Sequence, residues 1–492
     1  MNASKKKSGF AGDVLKLVSG TTVAQLLILL VAPILTRLFA PDTWGVLAIF
    51  GSITGILGVI ACLRYELAIM LPEKDEESAN LLGVSLLFSI LISLLTVPII
   101  WFCKDPILRW LNAPGLAPYL WLVPIAVFLQ GVFLALNYWN SRTRHFGRLS
   151  IARIISSFST SLGKLGFGFA GYTSAGTMIG ATVAGSAIST TILGGQIWRD
   201  DRKIFLQSIR WRKMCEGIIR HKKFPLLGTW SALMNTISVQ LPALMLAGFF
   251  STAIVGFFAL GHRLLAMPMG LIGGAIGQVF FQRAAAAKYE GKLPELVGHT
   301  FTRLLSLGFF PLLLVMVMGK ELFSVIFGSQ WAEAGIYAQI LAPWIMFQFV
   351  SSPISTLFAV LEMQGTGLIF NSILLATRIA SLVIGGLLKS VLTALVLFSF
   401  TGALLYLGLC LFILKKSGSK MSMLSKDVLQ AGIISLIAIF PVVILKVFDS
   451  QPLTSVIAAC LSLLLFYVIL YFRDEELQKL MAGIMTRIKG QG

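Results

Sequence analysis

Long apolar runs alternate with short polar segments along almost the whole chain. A helix needs about 20 mainly apolar residues to cross a bilayer, and this length divides the pattern into about 14 predicted spans. Their centres are Ile28, Thr54, Leu91, Phe128, Ser159, Ala184, Ala243, Gly270, Leu313, Phe349, Ile379, Leu404, Ile437 and Leu463. The pattern therefore predicts an all-α polytopic membrane protein.

A basic stretch from Trp198 to Lys223 separates the first six predicted spans from the next six, and two more spans follow. Its apolar residues recur at loosely helical spacing, which predicts a helix on an anionic membrane surface; a solvated cytoplasmic loop is the alternative. The predicted domains are an N-terminal six-helix lobe (1–197), a basic cytoplasmic linker (198–225), a C-terminal six-helix lobe (226–414), two additional transmembrane helices (415–472) and an amphipathic cytoplasmic tail (473–492).

A weak internal repeat favours two related lobes. Residues 39–48 align with residues 250–259 at one constant offset, with matching Phe, Gly and Ala, in the turns between spans 1 and 2 and between spans 7 and 8. Both copies run in the same direction across the membrane. Parallel duplicated lobes of this kind form transporters with a substrate cavity between the lobes.

Charge sets the predicted orientation. The chain is 57% hydrophobic and only 12% charged, and its net charge is +19. The cations are concentrated in the loops that lie inside if the N-terminus is cytoplasmic, as the positive-inside rule requires. Both termini are therefore predicted to be cytoplasmic, and nucleic-acid binding is not indicated. The outside loops are too short for an extracellular catalytic domain.

The sequence contains no recognisable enzyme, metal or cofactor motif. The five cysteines are scattered without a C-x-x-C pair, and the four histidines lack metal-ligand spacing. We therefore predict a protein that is not an enzyme and uses no cofactor.

Ionisable residues inside the spans are the candidate site residues, because a charge in hydrocarbon is costly unless it faces a partner or a wet cavity. The cations nearest the middle of their spans are Lys164, Arg263 and Arg378, and those nearer the cytoplasmic face are Arg64, Arg153 and Arg303. For the shallower group, snorkelling to the interface is an equal alternative. Carboxylates occur only at span ends, at Glu66, Glu321 and Glu362. This imbalance predicts an anionic, phosphate-bearing substrate held by these cations.

Two stretches resemble a known family. Leu63-Arg64-Tyr65-Glu66-Leu67-Ala68-Ile69-Met70-Leu71-Pro72, followed by acidic residues, is similar to the end of span 2 in bacterial polysaccharide flippases of the Wzx type. Phe327-Gly328-Ser329-Gln330-Trp331-Ala332-Glu333-Ala334-Gly335 is similar to the loop after span 9 in the same family. These flippases belong to the multidrug/oligosaccharidyl-lipid/polysaccharide (MOP) exporter superfamily.

The resemblance implies two six-helix lobes around a central cavity and a function in surface polysaccharide or lipopolysaccharide synthesis. The implied cargo is an undecaprenyl-diphosphate-linked glycan such as an O-antigen repeat unit, moved to the outer leaflet of the bacterial inner membrane. Membrane lipids and polysaccharide polymerase or assembly proteins are the implied partners. The alternatives are a lipid II flippase, a multidrug or cation antiporter of the same superfamily, and a membrane polymerase or ligase.

Overall fold

The computed structural model describes residues 10–419, 421–448 and 451–473, and these residues fold into helices without any strand. The helices of the first half are α1 (Phe10–Leu38), α2 (Pro41–Ile60), α3 (Tyr65–Ala68), α4 (Asp75–Trp110), α5 (Val123–Arg142), α6 (Phe146–Phe169), α7 (Ala175–Ser208), α8 (Trp211–Arg220) and α9 (Thr229–Phe249). The helices of the second half are α10 (Thr252–Pro268), α11 (Gly274–Glu290), α12 (Leu293–Phe327), α13 (Ala332–Ile354), α14 (Leu357–Val360), α15 (Gln364–Leu387), α16 (Val391–Ser417), α17 (Met421–Val447) and α18 (Pro452–Arg473).

Eleven helical segments among the described residues are long and apolar enough to cross a membrane, so the all-α polytopic prediction is confirmed. The predicted spans centred on Ser159, Gly270 and Ile437 lie in helices but are not among the eleven. Helix α6 is continuous but carries Arg148, Arg153 and Lys164. Helix α10 ends at Pro268, where a π-helical turn follows. Within the part of α17 whose side chains the structure describes, the apolar segment is Gly432–Val447.

The helices divide into two compact units. Unit 1 contains residues 1–260 and 378–394, and unit 2 contains residues 261–377 and 395–492. Unit 1 therefore extends through the basic stretch and α9. The five predicted domains stay a prediction, and residues 474–492 of the predicted tail lie outside the described part of the chain.

Unit 1 is built by helix pairs that pack side by side: α1 with α6, α6 with α7, α4 with α5, and α2 with α9. One apolar cluster includes Trp139, Leu193 and Phe205, and the indole nitrogen of Trp139 donates a 2.9 Å hydrogen bond to Asp201. The indole ring of Trp139 is thus packed in the apolar cluster, while its N–H group binds a charged residue at the edge of that cluster.

Unit 2 is organised around α12 and α13, which come into close backbone contact at Gly319 and Gly335. Helices α17 and α18 pack on α12 through an apolar cluster that includes Phe310, Val442 and Phe466. These two helices are therefore part of unit 2 and pack directly on α12.

The repeat seen in the sequence corresponds to a symmetric contact inside unit 1. A Cβ atom built on Gly45 would collide with the backbone carbonyl of Thr252, and one built on Gly256 would collide with that of Pro41. Each would also lie 3.1 Å from the other glycine's backbone nitrogen. Pro41 and Thr252 are equivalent positions of the repeat, so both glycines are needed for the same close approach.

Candidate functional site

A cavity of about 450 Å³ lies within unit 1, surrounded by α1, α2, α5, α6 and α7. Its wall combines apolar side chains with hydroxyl and amide groups and, among the residues that the structure describes, one cation. The polar lining residues are Thr21, Gln25, Thr54, Gln130, Arg153, Ser156, Ser157, Thr182, Ser186, Ser189 and Thr190. None of the described residues that line it is Asp or Glu.

Arg153 is the cation of this cavity. It lies on α6, which packs between α1 and α7, and its side chain is half-buried. Its Nη1 donates a 2.7 Å hydrogen bond to Oγ1 of Thr21 on α1. A guanidinium carries five N–H donors in a fork. The others remain suited to an oxyanion that enters the cavity.

The hydroxyl groups of α7 follow a helical stripe. Thr182 and Ser186 donate to carbonyls one turn earlier on their own helix, at 2.7 and 3.0 Å, and Ser189 donates to Ser186 at 3.0 Å. Their oxygen lone pairs can still accept hydrogen bonds.

Two further acceptors lack donors. Within the described part of the chain, Oε1 of Gln25 and Oγ1 of Thr190 are buried without a hydrogen-bond partner. An unsatisfied buried polar atom costs about 1–3 kcal/mol. The cavity thus offers a cation for an anion, and its other hydroxyl and amide groups suit a ligand that carries hydroxyl groups, as a sugar does.

Arg378 is placed differently from Arg153. It lies in the middle of α15, is only 6% exposed, and donates from Nη1 to the backbone oxygen and the hydroxyl of Ser238 on α9, at 3.1 and 3.0 Å. The residue four positions after Ser238 is Pro242, which has no N–H, so the helix itself cannot supply a donor to the Ser238 carbonyl. Arg378 supplies that donor. Its predicted binding of diphosphate stays a prediction.

Lys164 and Arg64 also lie in unit 1. Lys164 is buried on α6 and only 9% exposed. Arg64 precedes α3 in a left-handed conformation, and its Nη1 lies 3.6 Å from the carboxylate of Glu66, which is fully buried. Burial is the main reason that the pKa of the Glu66 carboxyl lies above its ordinary value.

The other predicted site cations lie in unit 2. Arg263 on α10 and Arg303 on α12 both have exposed side chains. His262, the neighbour of Arg263, stacks on Trp344 with ring centroids 5.5 Å apart. Of the predicted cations, Arg153 is the one that lines the cavity in unit 1.

Sequence reasoning based on charge missed the neutral polar residues of the cavity. A signal for them was available, since Thr182, Ser186, Ser189 and Thr190 recur at i, i+4, i+7 and i+8 within an apolar span. This is the period of one helix face. Among the described residues, no group of three or more His, Cys, Asp or Glu side chains could hold a metal ion.

Comparison with known proteins gives matches of sequence and of fold. The model of a family described as "Polysaccharide biosynthesis protein" matches residues 34–335, more than half of the chain. The teichuronic acid biosynthesis protein TuaB of Bacillus subtilis (strain 168) is 26% identical over 113 residues, which are 23% of each protein. The chain thus matches this curated relative over about a quarter of the relative's length.

Two solved structures have a similar fold. A structure titled lipid II flippase MurJ, inward closed conformation, gives a TM-score of 0.73 at 14% identity, covering 92% of this chain and 99% of that one. An inward-facing multidrug resistance MATE family transporter of the MOP superfamily gives a TM-score of 0.64 at 14% identity, covering 82% and 96%. The chain therefore has the fold of this group of multi-pass membrane transporters.

Proposed function

Because this chain belongs to the polysaccharide biosynthesis protein family and has the fold of MOP superfamily transporters, we propose that it is a flippase for a lipid-linked oligosaccharide. The cargo is an undecaprenyl-diphosphate-linked repeat unit, moved from the inner to the outer leaflet of the bacterial cytoplasmic membrane by alternating access. The protein's role is transport rather than catalysis.

The observation that carries this proposal is the composition of the cavity in unit 1. Arg153 provides a guanidinium for phosphate oxygens, and the hydroxyl and amide groups around it match the donors and acceptors of a sugar. The lining contains no carboxylate among the described residues, which disfavours a cationic drug as the cargo. Lys164, Arg64, Arg263, Arg303 and Arg378 remain candidate cargo-binding residues within this proposal.

The proposed orientation places the basic end of unit 1 in the cytoplasm, and with it both termini of the chain. At that end, Arg142 pairs with Asp75 at 2.9 Å, Arg220 pairs with Glu77 at 3.3 Å, and Arg148 pairs with Asp200. These pairs leave the surrounding lysines and arginines in excess, as the positive-inside rule expects of cytoplasmic segments.

The membrane potential can give this transport its direction. A diphosphate carries about two negative charges, so its outward movement across a membrane with an inside-negative potential is favoured by roughly 4–5 kcal/mol per 100 mV if no compensating charge moves with it. The polyprenyl tail stays in the lipid while the headgroup passes through the protein.

The proposal is tested by reconstituting the full chain in proteoliposomes with a fluorescent undecaprenyl-diphosphate oligosaccharide and an imposed inside-negative potential. We expect potential-dependent flipping that Arg153→Ala and Arg263→Ala reduce. A folded protein that moves no such lipid under any gradient would overturn the proposal. Parallel assays with lipid II and with cationic drugs test the alternative cargoes of this superfamily.

A further inference from the structure

The inner face of the short helix α8 in the basic stretch contacts α3 and α4. Met214 is buried in a cluster with Tyr65 and Val84. The hydroxyl of Tyr65 donates a 3.1 Å hydrogen bond to the backbone oxygen of Ile218. These contacts lie one turn apart on α8, so they determine which side of the helix faces outward.

The depth of α8 is set by contacts with the start of α4. The side chain of Asn80 donates to the backbone oxygen of Ser208 and accepts from the backbone N–H of Arg210, both at 2.9 Å. At the other end of α8, Arg220 pairs with Glu77. Helix α4 changes over these residues from the acidic Asp75-Glu76-Glu77 to the apolar Leu81-Leu82. Helix α8 therefore lies at the level where α4 enters the membrane.

The outward side of α8 carries large apolar groups beside cations. Trp211 is 66% exposed and Ile219 is 68% exposed. At about 100° per residue, these two lie on one flank of the helix, with Arg212 next to them and Lys213 on the opposite flank. Lys222 and Lys223 follow the helix and are exposed. Glu216 pairs with Arg212 at 3.3 Å, so the two lysines add positive charge that this pair does not balance.

We propose that this α8 face, formed by Trp211, Ile219, Arg212, Lys222 and Lys223, is a binding site for anionic phospholipid headgroups of the membrane that holds the protein. Indole and aliphatic groups favour the boundary between headgroups and acyl chains, and the cations favour lipid phosphate. An acidic soluble partner would satisfy the cations but would leave Trp211 and Ile219 in water. This inference is independent of the cargo.

The test uses the full chain with Cys103, Cys215 and Cys460 replaced by serine, labelled with an environment-sensitive fluorophore at Ile219→Cys or at Lys213→Cys. The protein is placed in nanodiscs of phosphatidylcholine alone or mixed with phosphatidylglycerol. We expect the label at position 219 to shift to the blue and to be shielded from aqueous iodide when phosphatidylglycerol is present, while the label at 213 stays accessible. A label at 219 that iodide quenches in both discs, or that is shielded equally in both, overturns the proposal.

A charge variant provides the second measurement. The chain with Arg212→Gln, Lys222→Gln and Lys223→Gln is titrated with short-chain phosphatidylglycerol in detergent. We expect its affinity to fall roughly fivefold for each cation removed. The matched control removes three exposed lysines of unit 2, Lys292, Lys415 and Lys416. An equal loss of affinity in both variants would show that only net charge matters and would overturn the site.

Discussion

Arg153 and Arg378 are both arginines within predicted spans of unit 1, yet the structure gives them opposite surroundings. Arg153 faces a cavity lined by hydroxyl and amide groups and uses one of its donors on Thr21. Arg378 is almost fully buried and donates to the carbonyl of Ser238, the one that Pro242 leaves without its helical donor. A membrane-embedded cation therefore indicates either a ligand site or a donor for a backbone carbonyl that a proline leaves without its helical hydrogen bond.

The two guanidinium groups differ in the kind of acceptor that their N–H donors bind. In hydrocarbon, a backbone carbonyl without a donor is costly. A carbonyl that a proline leaves without its helical donor is therefore stabilised when a neighbouring helix supplies one. The guanidinium of Arg378 is this donor for the Ser238 carbonyl. The contact of Arg153 with Thr21 does not satisfy a backbone carbonyl, since its partner there is a side-chain hydroxyl.

The largest effect is expected at the cavity. Arg153→Ala removes a charge-assisted contact worth about 1.5–3 kcal/mol and should therefore slow transport about 10- to 100-fold. Thermal stability should change little, because a half-buried side chain next to a cavity leaves no dry void. The measurement is the flipping rate in proteoliposomes beside the melting temperature in detergent.

Lys292→Ala, which removes an exposed cation outside the cavity, is the control for Arg153→Ala and should transport at the rate of the wild type. Arg153→Lys should recover part of the activity, because it restores the charge without the planar fork. Equal transport by Arg153→Ala and the wild type would remove this residue from the mechanism.

The next effect is expected on stability at Arg378. Arg378→Leu should destabilise the protein by about 1–3 kcal/mol, because the Ser238 carbonyl loses its donor within the membrane. Adding Pro242→Ala restores a backbone N–H four residues after Ser238, so the double variant should be destabilised less than the single variant. Denaturant unfolding of the four proteins of this cycle measures the coupling. Additive effects would show that Arg378 does not substitute for the missing N–H.

A smaller effect of the same kind is expected in unit 2. Pro311 removes the helical donor for the carbonyl of Leu307, and the hydroxyl of Tyr467 on α18 donates to that oxygen at 3.1 Å. Tyr467→Phe should cost about 1 kcal/mol, the usual net value of a neutral hydrogen bond. The matched control is Tyr172→Phe, at an exposed tyrosine, which should unfold like the wild type in the same denaturant series.

The smallest effect depends on pH and concerns Glu66. Its folded-state pKa is raised by burial above the ordinary 4.5, partly offset by Arg64, and Cys62 and Tyr138 are the other titratable groups that interact with it. Stability should therefore be greatest below the ordinary pKa and fall as pH rises from there to the raised value. Melting temperatures across this range should show the fall in the wild type but not in Glu66→Gln. The exposed Glu73→Gln should keep the slope of the wild type.

Much of the fold was predictable from the sequence because apolar length reports membrane crossing directly. Every predicted span centre lies in a helix, and the repeat at Gly45 and Gly256 marks a real contact. The helix breaks were less predictable. The basic stretch is divided between the end of α7 and the separate helix α8, because the side chain of Asn80 holds the turn between them.

Of the candidate site, only the charged residue was predicted from the sequence. Arg153 could be named from its charge and position, but its neutral companions lie on other helices and differ little from ordinary polar residues of membrane spans. Only packing brings Thr21 of α1 against Arg153 of α6.

The sequence by itself determined that this is a helical, multi-pass membrane protein with cations rather than carboxylates within its spans, because hydropathy and charge are local properties of the chain. The tertiary structure decided which cation faces a cavity and which one satisfies a carbonyl, because partners separated by more than a hundred residues meet only after the helices pack. The same holds for α8, whose outward face is defined because Tyr65 and Val84 contact its inner face and Asn80 binds the turn that precedes it.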